Sequence, residues 1–203
     1  MFNLYKQTHE YIQSVQPGDV FVEIGSSPHY RDGSSYYYGD LAQAHNTVLH
    51  TVDIDNTVLP GVVHPAIHWH SAVGSEWCNN YVTNVGKKIA CLYLDNFDYI
   101  WDVRTINEDI QKQIDDYRTL YNVEMNNRAC QIEHMKQMIA LLPWMADQSV
   151  VALDDTYLHN ECWVGKCGPV VVYLQTQGYK IVAENTDPYA TAPRKFEVIL
   201  RRD

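Results

Sequence analysis

Residues 19–55 read DVFVEIGSSPHYRDGSSYYYGDLAQAHNTVLHTVDID, and the fold turns on them. Val20-Phe21-Val22 is an apolar run that predicts a buried strand, closed by Glu23 and followed at once by Gly25-Ser26-Ser27. A second small-residue cluster, Gly33-Ser34-Ser35, precedes a helical run to His45. Val48 to Val52 predicts a second strand, ending in Asp53 and Asp55. Strand, small-residue loop, helix and strand in that order form the front half of a nucleotide-binding βαβ unit. A glycine where the first strand stops lets a ligand approach the backbone closely. Amides at the next helix N-terminus are free to donate. A carboxylate ending the second strand can accept from both hydroxyls of a ribose, which favours an adenosine-type ligand over a bare phosphate.

Upstream, Leu4, Thr8, Tyr11, Ile12 and Val15 recur at helical spacing, and Pro17-Gly18 stops the pattern, so a helix is expected over 3–15. Downstream, residues 56–66 read as a loop, 67–73 as a short strand, 75–85 as a short helix, and Ile89 to Leu94 as a buried strand. Apolar faces over 106–121 and 129–142 predict two helices broken at Asn126-Asn127. Val150 to Leu153 predicts a strand closed by Asp154-Asp155, and Val170 to Gln177 a helix capped by Gly178. Tyr179 to Ala183 and Phe196 to Leu200 finish the chain as an antiparallel pair joined by the Pro188–Pro193 loop. The expected class is therefore α/β: a Rossmann-like, doubly wound, mostly parallel seven-stranded sheet with an antiparallel C-terminal strand and helices on both faces. No repeat or linker divides residues 1–203, so one domain is expected.

The bulk properties agree with such a domain. A hydrophobic content of 46 % in 203 residues suffices for a buried core and argues against disorder. A formal charge of −10 disfavours nucleic acid and anionic membrane as partners. Five cysteines, an odd number, with no leader-like start at Met1, predict reduced thiols and a cytoplasmic location. No apolar run approaches the roughly 18 residues of a membrane-spanning helix. The fifteen tyrosines are assigned mainly to packing.

With these residues in view, the chain resembles the class I S-adenosylmethionine-dependent methyltransferases over roughly residues 10–203. Val22-Glu23-Ile24-Gly25 is similar to that family's first motif and His50-Thr51-Val52-Asp53-Ile54-Asp55 to its second. The usual glycine-rich run is reduced here to Gly25-Ser26-Ser27-Pro28-His29, with Gly33 displaced downstream. The resemblance implies S-adenosylmethionine as cofactor. It implies contacts from Glu23, Gly25, Ser26, Ser27, Gly33 and Ser34 around the methionine part, and from Asp53 and Asp55 at the ribose. Gly74, Ser75 and Asp95 would border the adenine and the sulfonium.

Three predicted strands end in carboxylates: Asp53/Asp55, Asp95/Asp98 and Asp154/Asp155. In an open parallel sheet these ends share one rim, where ligands bind. Asp95, Asp154 and Asp155 offer oxygen ligands to a hard ion such as Mg²⁺. Leu94-Asp95 and Leu153-Asp154-Asp155-Thr156 look similar to the pattern of metal-dependent O-methyltransferases of catechol and macrocin type. Helix capping is the competing role for the Asp pair. His159, on the loop after it, is a candidate general base toward an acceptor hydroxyl, with Asp154 beside it. His134, Lys166 and Arg104 are further candidates without specific support. His64, His68 and His70 cluster, as do His159, Cys162 and Cys167, and ordinary structural roles are expected for both groups.

The expected function is methyl transfer to the oxygen of a small molecule, with Mg²⁺ assistance as an expectation of the resemblance. The acceptor pocket falls to residues 97–128 and 156–168, and a homodimer is left open. Two alternatives remain. A nicotinamide-dependent oxidoreductase is disfavoured because no G-x-G-x-x-G follows the first strand. A non-catalytic nucleotide-binding relative stays possible because fold does not establish function. Asp53-Ile54-Asp55 also matches the D-x-D of sugar-nucleotide enzymes, though its context favours ribose binding.

Overall fold

Alternation along the first strand sets the layers. In β1 (Val20–Ile24), Val20, Val22 and Ile24 face one buried cluster and Phe21 faces another, so the strand is covered on both sides. A computed structural model describes residues 4–27, 33–55, 64–96, 106–185 and 197–202. The Pro188–Pro193 loop, Asp98 and Arg104 lie outside the described residues.

After β1 come α1 (Ser34–Ala44), β2 (Leu49–Asp53), β3 (Ile67–Ser71), α2 (Gly74–Asn79), α3 (Tyr81–Asn84) and β4 (Ile89–Leu94). Next are α4 (Glu108–Tyr121), α5 (Asn127–Leu141), β5 (Met145–Asp154), β6 (Thr156–His159), β7 (Cys162–Gly165), α6 (Gly168–Thr176), β8 (Tyr179–Asn185) and β9 (Glu197–Arg202). Seven strands form one sheet in the order β3-β2-β1-β4-β5-β9-β8. β1 pairs in parallel with β2 and β4, and β4 with β5, while β9 is antiparallel to β5 and β8. The chain order jumps from β3 back past β1 to β4, so the crevice at the C-terminal ends of β1 and β4 is a switch point.

One face carries Trp77, Tyr81, Met138, Leu141, Val170 and Leu174 from α2, α3, α5 and α6. The other carries Leu4, Tyr5, Tyr36, Tyr38 and Ala42 from the N-terminal segment and α1. Tyr5, Tyr38 and Tyr93 pack with ring centroids 5.1 to 6.1 Å apart, so these tyrosines serve the core.

Several local expectations change. The expected helix over 3–15 is a 3-10 helix of Leu4–Glu10 only. Tyr11, Ile12 and Val15 still pack against the second cluster, so the apolar spacing reflects burial rather than a continued helix. Residues 75–85 form two short helices, because Asn80 ends one and leads into the other. The long helical region breaks earlier than the Asn126-Asn127 pair: α4 ends at Tyr121, where Asn122 takes φ 55°, and Asn126 then starts α5 as its cap, its side chain accepting from the Ala129 amide at 2.9 Å. The loop expected after Asp155 is instead a hairpin. β6 and β7 pair antiparallel through Asn160-Glu161, with φ of 47° and 63°, the positive pair of a type I′ hairpin turn.

Candidate functional site

The strand ends of β1, β2 and β3 enclose a cavity of about 520 Å³, within the roughly 300–1,000 Å³ range of small-molecule sites. Gly25, Ser26 and Ser27 border it from β1, Asp53 and Asp55 from β2, and Ala72, Val73 and Gly74 from β3. Asp95 and Asn96 close it beside β4, Glu133 of α5 borders it, and Gln113 and Tyr117 of α4 form a further wall.

Gly25 is required twice over. Its φ is +96°, and a Cβ there would lie 2.4 Å from the Asn96 amide nitrogen. At Gly74, a Cβ would come within 2.6 Å of Gln137 Nε2. Both glycines therefore let the cavity wall pack closely, Gly25 against the Asp95–Asn96 backbone and Gly74 against the Gln137 and Ile24 side chains. Asp53 shapes the same wall. Its carboxylate accepts from the Ser26 amide at 2.9 Å and the Asp55 amide at 2.8 Å. Burial pushes the Asp53 carboxyl above its usual range, although those amide bonds pull it back. Asp55 is met by the Tyr121 hydroxyl.

Glu23 stands behind the loop, not in the cavity lining. It is fully buried and accepts from Ser34 Oγ at 2.5 Å, Ser35 Oγ at 2.6 Å and Thr51 Oγ1 at 2.5 Å. Ser35 Oγ in turn accepts from the Ser27 amide at 2.9 Å. Ser26 Oγ lies 2.7 Å from Thr51 Oγ1. Because the Thr51 proton points to Glu23, Ser26 is the donor in that pair. One carboxylate thus anchors the start of α1, the end of β1 and the middle of β2. Burial raises its pKa to about 7, partly offset by the three hydroxyls. Gly33 precedes α1 as its N-cap residue, Ser34 opens that helix, and Ser75 donates its amide to Glu133 at 2.8 Å. These residues support the wall rather than line it.

The carboxylates of β4 and β5 do converge, but around a lysine. Lys166 Nζ lies 2.7 Å from Asp95 Oδ1, 3.5 Å from Asp154 Oδ2 and 3.3 Å from Asp155 Oδ2. Its side chain is 1 % exposed. Burial alone would lower the lysine pKa; the three carboxylates overturn this and hold it well above its usual value. Burial would likewise raise Asp95, but Lys166, Asp154 and the Tyr93 hydroxyl bring it below the usual range. Asp154 moves the other way, pushed well up by burial and by Asp95. The arrangement does not fit the expected divalent ion, because the point to which these oxygens turn is filled by an ammonium. No group of three or more His, Cys, Asp or Glu side chains suited to a metal occurs among the described residues.

His159 lies on the exposed β6–β7 hairpin with Nε2 3.1 Å from Asn160 Nδ2, outside the cavity lining. Its neighbour in the cysteine group, Cys162, is exposed, whereas Cys167 is buried; all five cysteines are free. His134 is buried on α5, donates Nδ1–H to the Cys130 carbonyl at 2.8 Å, and is driven to about 4 by burial. His68 and His70 do share a face, and His50 from β2 joins them: His50 Nδ1 is 3.0 Å from His70 Nε2, and burial lowers His50 to about 3. His64 instead reaches Asp40 at 3.1 Å. Glu133, Asn96, Gln113 and Tyr117 were not singled out by sequence. Gln113 on α4 and Glu133 on α5 read as ordinary polar helix positions and Tyr117 as part of the apolar face of α4, and docking of those helices turns them to the cavity, whereas Asn96 reaches it from the loop after β4.

No family model matches the sequence, and no curated protein matches it. Solved structures do. A Streptococcus mutans protein assigned as a methyltransferase, in complex with SAH, superposes with a TM-score of 0.56 at 10 % identity, over 100 % of this chain and 99 % of that one. An rRNA methylase from Streptococcus thermophilus gives 0.57 at 8 % identity, over 100 % and 98 %. The glycopeptide N-methyltransferase MtfA gives 0.50 at 9 %, over 97 % and 92 %. The fold is that of the class I S-adenosylmethionine-dependent methyltransferases, and identities this low speak to the fold alone.

Proposed function

We propose that this protein is an S-adenosylmethionine-dependent methyltransferase acting on a hydroxyl of a small molecule, with residues 1–203 serving as one methyltransferase-like domain. The observation that carries the reading is the cavity at the switch point, walled by Gly25 and Gly74 with the Asp53 carboxylate between them. The residues fit the cofactor. Asn96 lines the cavity and its buried Oδ1 has no hydrogen-bond partner among the described residues, so an acceptor atom awaits a ligand donor. Bound S-adenosylmethionine supplies a methyl carbon made electrophilic by its sulfonium.

The chain's own work is positioning. Gly25 and Ser26 approach the methionine part, Asp53 accepts from the ribose, and Gly74 borders the adenine, with Ser75 bonded to Glu133 behind it. Asp95 and Asn96 border the sulfonium side, where the acceptor enters. Asp53, Asp55, Asp95 and Glu133 line the cavity, and no lysine or arginine does so among the described residues. That charge suits a cationic sulfonium and opposes a polyanion. It supports a small acceptor even though rRNA methylases share the fold. The five free thiols support a cytoplasmic location.

Calorimetry with S-adenosylhomocysteine, NAD and a sugar nucleotide tests the reading: the first binds and the others do not. No binding of S-adenosylhomocysteine at millimolar concentration overturns it. Retention of ribosomal RNA fragments at physiological salt would move the acceptor from small molecules to RNA.

A further inference from the structure

We propose that Lys166 is a built-in cation standing where the strand-end carboxylates would otherwise hold a divalent ion, so that this rim works without metal and holds Asp95 ready for the acceptor. The first support is convergence. Carboxylates ending two neighbouring strands, β4 and β5, direct oxygens to one nitrogen at 2.7, 3.5 and 3.3 Å. Those are ammonium hydrogen-bond and ion-pair distances, longer than the roughly 2.0–2.6 Å of Mg²⁺ or Ca²⁺ coordination.

The second support is that the lysine is locked from both sides. Its amide donates to the Asp155 carbonyl at 3.0 Å. Gly165 before it has φ +91°, and a Cβ there would sit 1.9 Å from that same carbonyl oxygen. The Gly165 carbonyl accepts from Gln131 Nε2 of α5 at 3.0 Å. After it, the Cys167 amide donates to Thr156 Oγ1 at 3.2 Å. The β6–β7 hairpin therefore returns the chain to Asp155 and delivers Lys166 inward. An incoming divalent ion would have to expel a buried ammonium whose backbone cannot retreat.

The consequence falls on Asp95, the one carboxylate of the three that reaches the cofactor cavity. Lys166 fixes its Oδ1 and the Tyr93 hydroxyl fixes its Oδ2 at 3.1 Å. A single charge replaces a double one, so the rim is one unit more negative than it would be around a divalent ion. It offers no open coordination position for a chelating diol. The acceptor class that suits it presents one O–H or N–H to a fixed carboxylate. This last step rests on the methyltransferase reading; the ion replacement does not. Lys166 acts through Asp95 and is a positioning residue.

The test reads metal binding, not activity. Wild type and Lys166→Ala are titrated with Mg²⁺, Ca²⁺ and Mn²⁺, following the unfolding midpoint and the free-Mn²⁺ spin resonance signal. Lysine acetylation mapped by mass spectrometry reports whether Lys166 is displaced. Wild type is expected to be silent, with Lys166 protected at every ion concentration. Lys166→Ala is expected to gain a concentration-dependent rise in midpoint and to bind Mn²⁺ at least about tenfold more tightly than wild type, and Asp155→Asn added to it removes that gain. If Lys166→Ala is unfolded without ions, recovery of folding on adding Ca²⁺ reads the same gain. If it folds under no condition, wild type decides: silence with Lys166 protected sustains the proposal. Stoichiometric Mn²⁺ binding by wild type, or Lys166 becoming labelled as ions are added, overturns it. A folded Lys166→Ala that ignores all three ions overturns it equally. S-adenosylhomocysteine binding, measured separately, tells failure of the methyltransferase reading apart from failure of this one.

Discussion

The rim has two halves built on different physics. Around β1 and β2, one buried carboxylate, Glu23, is satisfied by three hydroxyls that lie within 28 residues of it. Around β4 and β5, three carboxylates gather on one ammonium, and Lys166 lies 71 residues beyond Asp95. The first half tolerates a neutral Glu23, because hydroxyls can turn to suit either protonation state. The second half depends on charge, since removing one partner of a buried ion cluster strands the others in low dielectric. Hydroxyl networks shape a loop; a buried cation holds two strand ends together.

The sharpest way to break that contrast is Lys166→Met. The expected loss at pH 7 is roughly 3–5 kcal/mol by urea unfolding, because Asp95, Asp154 and Asp155 then lack their cation. A loss within experimental error would mean that these carboxylates are solvated, and the two halves would be alike.

Glu23→Gln probes the other half through pH. With its folded pKa raised from 4.5 to about 7, the folded state keeps this proton over a range where the unfolded chain has lost it. The contribution is complete below pH 4.5 and is lost as pH rises through 7, a change of about 3 kcal/mol. Denaturant titrations of wild type should therefore show a fall in stability from pH 5 to pH 8, superposed on other groups. Glu23→Gln should flatten that fall; an unchanged slope assigns the titration elsewhere.

Asp53→Ala carries a smaller effect, seen in binding. S-adenosylhomocysteine affinity is expected to drop at least about tenfold, or about 1.4 kcal/mol, as the ribose loses a charged acceptor. Part of that loss follows from the Ser26 amide losing its partner. Asp53→Asn, which keeps one acceptor oxygen, should recover some of it. Equal affinity in all three proteins would move the ribose to another residue.

The least effect is expected at His159. The side chain is exposed at a hairpin tip, so His159→Ala should shift stability by no more than about 0.5 kcal/mol and leave S-adenosylhomocysteine affinity unchanged. A large loss of methyl transfer in this variant, with binding intact, would restore it as the base at the acceptor end.

Sequence alone determined the sheet and the strand ends that border its cavity. Val20–Ile24, interrupted only by Glu23, and Ile89–Leu94 are apolar runs that a sheet covered on both faces buries. Gly25 and Asp53 sit where short-range chain geometry puts strand ends, so their place at the rim followed from local pattern. The hairpin after Asp155 was not legible, because its turn residues, Asn160-Glu161, lack the glycine that usually marks such a turn. Tertiary structure alone decided the polar wall from α4 and α5 and the partner of the carboxylates. Glu133 and Lys166 carry the same charges in a surface helix or an open loop as they do beside the cavity and within the carboxylate cluster. What separates those cases is the long-range packing that brings α5 and the β6–β7 hairpin against the strand ends. The spacing of residues along the chain does not encode that packing.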